Sequence, residues 1–233
     1  MKIALLGYGR MGKSIEAIAL QRNHDISLKV SDTTSDYDFS NTDVAIDFSI
    51  PTVAVSNIKM ALDAGVPVIS GTTGWLDQYN HILEYCASKD GTFLYASNFS
   101  LGVNIFFEIN KRLSQLMAAI DGYNIDIEEI HHTQKLDAPS GTAITLAEEI
   151  IDHTSYKNWT LDDPKSNEIH INAKRIENVP GTHEITYNSE IDSISIKHTA
   201  HSRQGFAMGA VIAAEWIKDK KGIYNMKDVL NIG

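Results

Sequence analysis

The sequence predicts an α/β protein in two parts: a parallel sheet with helices on both faces, then a smaller α+β domain around a mixed, mostly open sheet. Three observations predict it. Apolar runs of strand length alternate with helical stretches through the first part of the chain. A glycine-rich turn joins the first strand to the first helix. In the second half the period changes, and several segments alternate apolar and polar residues as half-buried strands do.

In chain order, "IALLG" (Ile3 to Gly7) is a buried strand, and "RMGKSIEAIALQ" is a helix with Met11, Ile15, Ile18 and Ala19 at helical spacing. "ISLKV", "VAIDF", "VPVIS" and "TFLYAS" are the next strands, with helical "TVAVSNIKMALDAG" and "WLDQYNHILEYCASKDG" between them. A long amphipathic helix, "FSLGVNIFFEINKRLSQLMAAI", follows. "YNIDIEEIHH", "EIHINAKRI", "GTHEITYNS" and "DSISIKHTA" are then four period-2 strands, which places the domain boundary near Asn98 to Gly102. The last helix, "QGFAMGAVIAAEWIKD", is rich in small residues that favour close packing against another surface. A four-strand layer with so little helix leaves sheet surface uncovered, so assembly through that sheet is expected.

The first strand-to-helix turn is "GYGRMG", in which Gly7, Gly9 and Gly12 fit G-x-G-x-x-G. The first glycine permits the tight turn, the second lets a pyrophosphate approach the backbone, and the third lets helix and strand pack closely. The helix start offers free N–H groups and partial positive charge to phosphates. The first domain is therefore expected to be Rossmann-like and to bind a dinucleotide. Asp32, at the end of the second strand, is placed to accept hydrogen bonds from an adenosine ribose. Its segment "SDTTSDYD" holds three aspartates and no Arg or Lys, which disfavours a 2′-phosphate and points to NADH rather than NADPH, although Arg10 stands within reach of a phosphate. "GTTG" (Gly71 to Gly74) and "ASNFSLGVN" (Ala96 to Asn104) follow the fourth and fifth strands, where an open parallel sheet binds its ligands.

Composition excludes several classes. With 233 residues and a formal net charge of −10, the chain is a poor partner for nucleic acid or an anionic membrane. Its single cysteine, Cys86, allows no internal disulfide. No secretory signal and no apolar run of membrane length is visible, so a cytoplasmic location is expected.

The densest chemistry lies in "EIHHTQKLDAPSGTA" (Glu129 to Ala143). On a strand, Ile125 and Ile127 share a face with Glu129 and His131, while His132 points the other way. Adjacent histidines that diverge do not readily share an ion, and no metal is expected. Ser140 is a good N-cap, and Gly141 and Thr142 fall in the first helical turn, where free N–H groups suit a carboxylate or one phosphate. Lys135 adds a cation that can donate a proton, and either histidine can titrate near neutrality.

The run "HHTQKLDAPSGTA" closely resembles the H-H-x-x-K-x-D-A-P-S-G-T-A motif of the 4-hydroxy-tetrahydrodipicolinate reductases, also called dihydrodipicolinate reductases, of lysine and diaminopimelate synthesis. "GYGRMG", "AIDFS", "GTTG", "ASNFSLGVN" and "SRQGFAMGAVIAAEW" carry the likeness along nearly the whole chain. The resemblance implies His131 as proton donor and acceptor, Lys135 as proton donor, and His132, Gly141 and Thr142 as substrate-carboxylate ligands. It implies cofactor contacts from Gly7, Tyr8, Gly9, Arg10, Met11, Gly12, Gly71, Thr72, Thr73, Ala96, Ser97, Asn98 and Phe99, with Asp32, or Ser31 in its place, at the ribose. It also implies a cofactor domain over 1–100 onto which the tail, about 204–233, returns, and a substrate-binding and oligomerisation domain over 101–203. The substrate would be a cyclic imine dicarboxylate, the cofactor NADH or NADPH, and the assembly a homotetramer. Many members have a longer glycine loop and an arginine after the second strand; here Thr33 follows Asp32. A non-catalytic NAD-binding redox sensor and another nicotinamide-dependent amino-acid dehydrogenase are the competing readings.

Overall fold

The structure, a computed structural model, describes residues 1–31, 37–202 and 204–232. The elements run β1 (Lys2–Leu6), α1 (Arg10–Gln21), β2 (Asp25–Val30), β3 (Val44–Asp47), α2 (Pro51–Asp63), β4 (Val68–Ser70), a 3₁₀ turn (Leu76–Gln78), α3 (Tyr79–Ser88), β5 (Thr92–Tyr95) and α4 (Leu101–Met117). They continue with β6 (Asn124–His131), α5 (Gly141–His153), β7 (Asn158–Thr160), β8 (Glu168–Arg175), β9 (Gly181–Asn188), β10 (Ser193–Ala200), α6 (Gln204–Ile217), β11 (Gly222–Tyr224) and α7 (Met226–Leu230). Two compact units result: Met1–Asn104 with Gln204–Gly233, and Ile105–Arg203.

The first unit holds a six-stranded sheet ordered β11-β5-β4-β3-β1-β2, with every pair parallel. Central strands of such a sheet are covered on both faces, which is why "IALL" is apolar at every position. Ile3 and Leu5 pack with Ile15 and Ile18 of α1 and the small residues of α6. Ala4 and Leu6 pack on the other face with Ile58 and Leu62 of α2 and Ile82 of α3. The small residues of α6 allow close approach: a Cβ on Gly209 would lie 1.7 Å from the Phe99 carbonyl oxygen. The tail adds β11 beside β5, a strand too short for its period to be read in the sequence. Strand order reverses between β1 and β3, so the crevice beyond their carboxyl ends is the place for a ligand.

The second unit holds a five-stranded mixed sheet ordered β10-β9-β6-β8-β7. β9 is antiparallel to β6 and β10, and β8 is parallel to β6 and β7. β7 is one strand more than the four read from periodicity; it spans three residues inside "KNWTLDDPKSNEIH". Ile125, Ile127, Ile169, Ile171, Ile185 and Tyr187 form the inner face, covered by Leu146, Ala147 and Ile150 of α5 and Phe106 of α4. Each such large side chain contributes about 1.5–3 kcal/mol on burial. The outer face is polar, and Asp126, Glu128, His170, Glu184 and Thr186 line a shallow depression of about 410 Å³ there. Lys197 bonds Glu184 on the neighbouring strand at 2.8 Å, and Lys174 pairs with Glu128. Among the described residues no helix is long and apolar enough to cross a membrane.

Candidate active site

The predicted cofactor residues lie on three loops of the first unit. Gly7 has φ +97°, and a Cβ there would stand 2.3 Å from the Phe48 carbonyl oxygen. A Cβ on Gly12 would stand 2.4 Å from the Gly7 carbonyl oxygen, whereas Gly9 has open space around it. These are the three geometric duties of a phosphate loop: turn, approach and helix–strand packing. Gly9 and Arg10 are exposed at the start of α1, and Met11 packs inward. The Tyr8 hydroxyl donates to Glu16, which also pairs with Lys29 at 2.5 Å. Asp32 lies outside the described residues; Ser31 is exposed.

The other two loops meet the first on Phe48, a residue the sequence did not single out. A Cβ on Gly71 would strike the Phe48 ring at 2.3 Å, and the ring of Phe99 lies 5.5 Å from that ring. Beneath them Asp47 is fully buried. One oxygen accepts from Ser49 Oγ at 2.6 Å and Asn57 Nδ2 at 3.1 Å, the other from Ser70 Oγ and Thr72 Oγ1, both at 2.8 Å. Burial pushes this carboxyl above its ordinary range, against the pull of those four donors. The Gly71 N–H donates to the Asp47 carbonyl at 2.9 Å, and the Ala96 N–H to the Ser70 carbonyl at 3.2 Å. Asp47 therefore ties the "GTTG" loop, carrying Thr72 and the exposed Thr73, to the end of β3. Asn98 steadies the third loop, accepting the Ser100 N–H at 2.9 Å; Ala96 is half-buried and Ser97 exposed.

The residues predicted to meet the substrate lie in the second unit. β6 alternates as expected: Ile125, Ile127, Glu129 and His131 face inward, and Asp126 and Glu128 face out. His131 closes the strand, and His132 begins the loop, its carbonyl accepting the Lys135 N–H at 3.1 Å. Lys135 Nζ donates to both Asp137 oxygens, at 2.8 and 2.6 Å. Ser140 caps α5, accepting the Ala143 N–H at 3.2 Å. Gly141 has no neighbour where a side chain would start, and its N–H and that of Thr142 belong to the first turn, which leaves them without intrahelical partners.

A buried carboxylate on the face of His131, to which the sequence assigns no role, organises this loop. Glu129 has no exposed surface. Its Oε1 accepts from Arg175 Nη2 at 3.1 Å and its Oε2 from the Ser140 N–H at 3.0 Å. His131 Nδ1 and His183 Nε2 stand 3.5 and 3.7 Å from Oε2. Arg175 also reaches the carbonyls of Lys135 and Asp137, at 3.3 and 2.6 Å, so one guanidinium holds the loop on both sides of Leu136. Burial alone would raise the Glu129 carboxyl; His183, the two Ser140 donors and His131 outweigh it and hold it at about 2. Burial pulls His131 down to about 4, helped by His183, Lys135 and Arg175 and opposed by Glu129. The signals were present in the strand pattern: Glu129 follows Ile125 and Ile127, and His183 precedes Ile185 and Tyr187, each a polar residue on an apolar face.

Glu129, His131 and His183 offer ligand atoms within 4.8 Å of one another, a trio of metal-ligating types distinct from the adjacent pair His131 and His132. The donor set is already engaged: Oε2 takes the Ser140 N–H, His183 Nε2 lies 3.1 Å from Ser140 Oγ, and the Arg175 guanidinium neutralises the carboxylate. A divalent ion would have to displace those contacts and sit beside a fixed cation.

The family described as "Dihydrodipicolinate reductase, N-terminus" matches residues 1–99, and that described as "Dihydrodipicolinate reductase, C-terminus" matches residues 102–230. The chain belongs to the dihydrodipicolinate reductase family. A 4-hydroxy-tetrahydrodipicolinate reductase of Christiangramia forsetii is 57% identical over 99% of this chain and 98% of its own. One from Methanococcoides burtonii is 38% identical over 94% of this chain and 85% of its own. Among solved structures, a dipicolinate-bound dihydrodipicolinate reductase from a Paenisporosarcina species superposes with a TM-score of 0.76 over 97% of both chains at 20% identity. An amine dehydrogenase from Mycobacterium smegmatis reaches 0.62 at 8% identity, covering 97% of this chain and 95% of its own. Both likenesses are of fold, shared by enzymes of different chemistry. Membership of the dihydrodipicolinate reductase family makes the chain an NAD(P)H-dependent oxidoreductase of lysine and diaminopimelate biosynthesis.

Proposed function

We propose that the chain reduces 4-hydroxy-tetrahydrodipicolinate to tetrahydrodipicolinate, with NADH preferred, in the cytoplasm and as a homotetramer. The observation that carries this reading is one strand end and the loop after it holding a neutral imidazole, an ammonium and a free helix start, alongside family membership across both units. A bound reduced nicotinamide supplies the hydride. Gly7, Tyr8, Gly9, Arg10, Met11 and Gly12 hold its pyrophosphate on the open backbone at Gly9; Gly71, Thr72 and Thr73 with Ala96, Ser97, Asn98 and Phe99 hold its nicotinamide half. Asp32, or Ser31, takes the ribose.

The substrate is a cyclic imine dicarboxylate. Loss of its hydroxyl as water leaves a conjugated C=C–C=N system, and hydride addition to the far carbon drives negative charge toward the ring nitrogen. Lys135 faces that charge and delivers the proton; His131, neutral at pH 7, relays it. The N–H groups of Gly141 and Thr142, with His132, hold a carboxylate. NADH preference is supported by Lys29, the cation of β2 nearest the ribose end, being committed to Glu16. The polar outer sheet face of the second unit is the surface through which copies assemble.

The test is oxidation of NADH and NADPH, followed by absorbance, with freshly generated 4-hydroxy-tetrahydrodipicolinate. Turnover with both and higher kcat/KM for NADH is expected. No oxidation of either defeats the reading and favours a redox sensor; turnover only with an amino acid favours a dehydrogenase. Sedimentation at micromolar concentration should give the tetramer mass.

A further inference from the structure

We propose that Glu129 is a positioning residue of the reaction: its carboxylate fixes the proton of His131 on Nδ1 and seats the Ser140 turn that opens α5. The inference rests on the reading of His131 as the proton relay.

The strand register builds the arrangement. Glu129 lies opposite His183 of β9, and His131 opposite Arg175 of β8. All four side chains therefore gather at one end of the inner face, where the isoleucines stop. Within that cluster His131 Nδ1 has no hydrogen-bond partner among the described residues, and Glu129 Oε2 is 3.5 Å away. A ring nitrogen facing a carboxylate carries the proton, because the other tautomer would set two acceptors against each other in a buried site. Nε2 is then the nitrogen with the lone pair. It borders Gly181, where a Cβ would lie 3.2 Å from it. An imidazole fixed in that tautomer accepts a proton through Nε2 and returns it through the same atom.

Glu129 also holds the other half of the loop. The Ser140 N–H reaches Oε2 at 3.0 Å, while Ser140 Oγ accepts the Ala143 N–H and lies 3.1 Å from His183 Nε2. One carboxylate thus links the proton relay to the helix start assigned to the substrate carboxylate. Arg175 pairs with it and ties it to the backbone of Lys135 and Asp137.

The experiment compares wild type with Glu129→Gln, which preserves size and removes the charge. Imidazole ¹⁵N spectra, with the His131 signals assigned through His131→Gln, should show the Nδ1–H tautomer in wild type and a shift toward Nε2–H in Glu129→Gln. Turnover should fall about tenfold or more, as expected when an acid–base histidine is misset. NADH binding should stay within about twofold, and pyridine-2,6-dicarboxylate binding should weaken less than turnover does, a split that general loosening would not produce. An unchanged His131 tautomer, or wild-type turnover in Glu129→Gln, overturns the proposal. Should Glu129→Gln not fold, Glu129→Asp keeps the charge but withdraws it from Nδ1, and a mixed tautomer with reduced turnover is expected; wild-type values for both overturn it. The tautomer needs no substrate, so an inactive wild type defeats the functional reading and leaves this one separately decidable.

Discussion

Asp47 in the first unit and Glu129 in the second are both buried carboxyl groups toward the carboxyl ends of strands, Asp47 closing β3 and Glu129 two residues before the close of β6, and their surroundings differ in kind. Asp47 is met by three hydroxyls and an amide, all neutral. Glu129 is met by a guanidinium and a backbone amide and flanked by two imidazoles. Burial wins at Asp47, whose carboxyl moves up, and loses at Glu129, which is held at about 2. At Asp47 neutral donors fix geometry without fully offsetting desolvation; at Glu129 the flanking imidazoles add to the Ser140 donors, and together they outweigh it. The contrast matches what each unit is proposed to hold. The loop that Asp47 ties down, proposed for the nicotinamide half, gains from donors that fix its shape. A dicarboxylate site gains from concentrated cations.

The largest effect expected within this contrast comes from the charged side. Lys135→Ala should cut turnover by about 10²–10³, or ~2.7–4 kcal/mol, with NADH affinity by fluorescence titration nearly unchanged. Unaltered turnover would remove Lys135 from the mechanism. Next, Glu129→Ala should cost about 3 kcal/mol in urea unfolding, because Arg175 and the Ser140 N–H lose a buried partner. Asp47→Asn should cost about 1 kcal/mol or less, since an amide still engages the same hydroxyls. Equal losses would erase the distinction between the two carboxylates.

Acid titration sharpens it further. His131, at about 4 against an ordinary 6.5, and Glu129, at about 2 against 4.5, both bind fewer protons folded than unfolded. Stability should therefore fall from pH 6.5 toward 4 through His131, and from 4.5 toward 2 through Glu129. Asp47, with its carboxyl raised above 3.8, acts in the opposite sense and gains stability as pH falls through its folded value. His131→Gln should flatten the upper part of the acid loss, and Asp47→Asn should steepen the lower part. A shallower curve for Asp47→Asn would mean that its carboxyl is not raised. The smallest effect is on cofactor binding: Asp47→Asn should weaken NADH by about threefold, through the Thr72 loop, and leave pyridine-2,6-dicarboxylate binding unaltered.

Much was legible in short windows of sequence. The apolar strands of the first unit, the glycines of "GYGRMG", the alternation of β6 that turns His131 inward, and the Ser140 cap each depend on residues within a turn or a strand of one another. Periods of 2 and 3.6 and the conformational freedom of glycine are local properties, so composition at fixed spacing reveals them. β7 and β11 were not legible, because three residues hold too few positions to show a period.

What only the tertiary structure decided is which distant groups share an environment. Asp47 gathers donors from β4 and α2, and Phe48 gathers three loops. Glu129, His183, Arg175 and Ser140 come from β6, β9, β8 and the α5 cap, brought together by strand register. Desolvation and charge act through space, over a few ångströms, whatever the separation along the chain. The sequence by itself determined the units, the loops and the candidate residues; the fold decided which of two buried carboxyls burial pushes up and which its partners pull down.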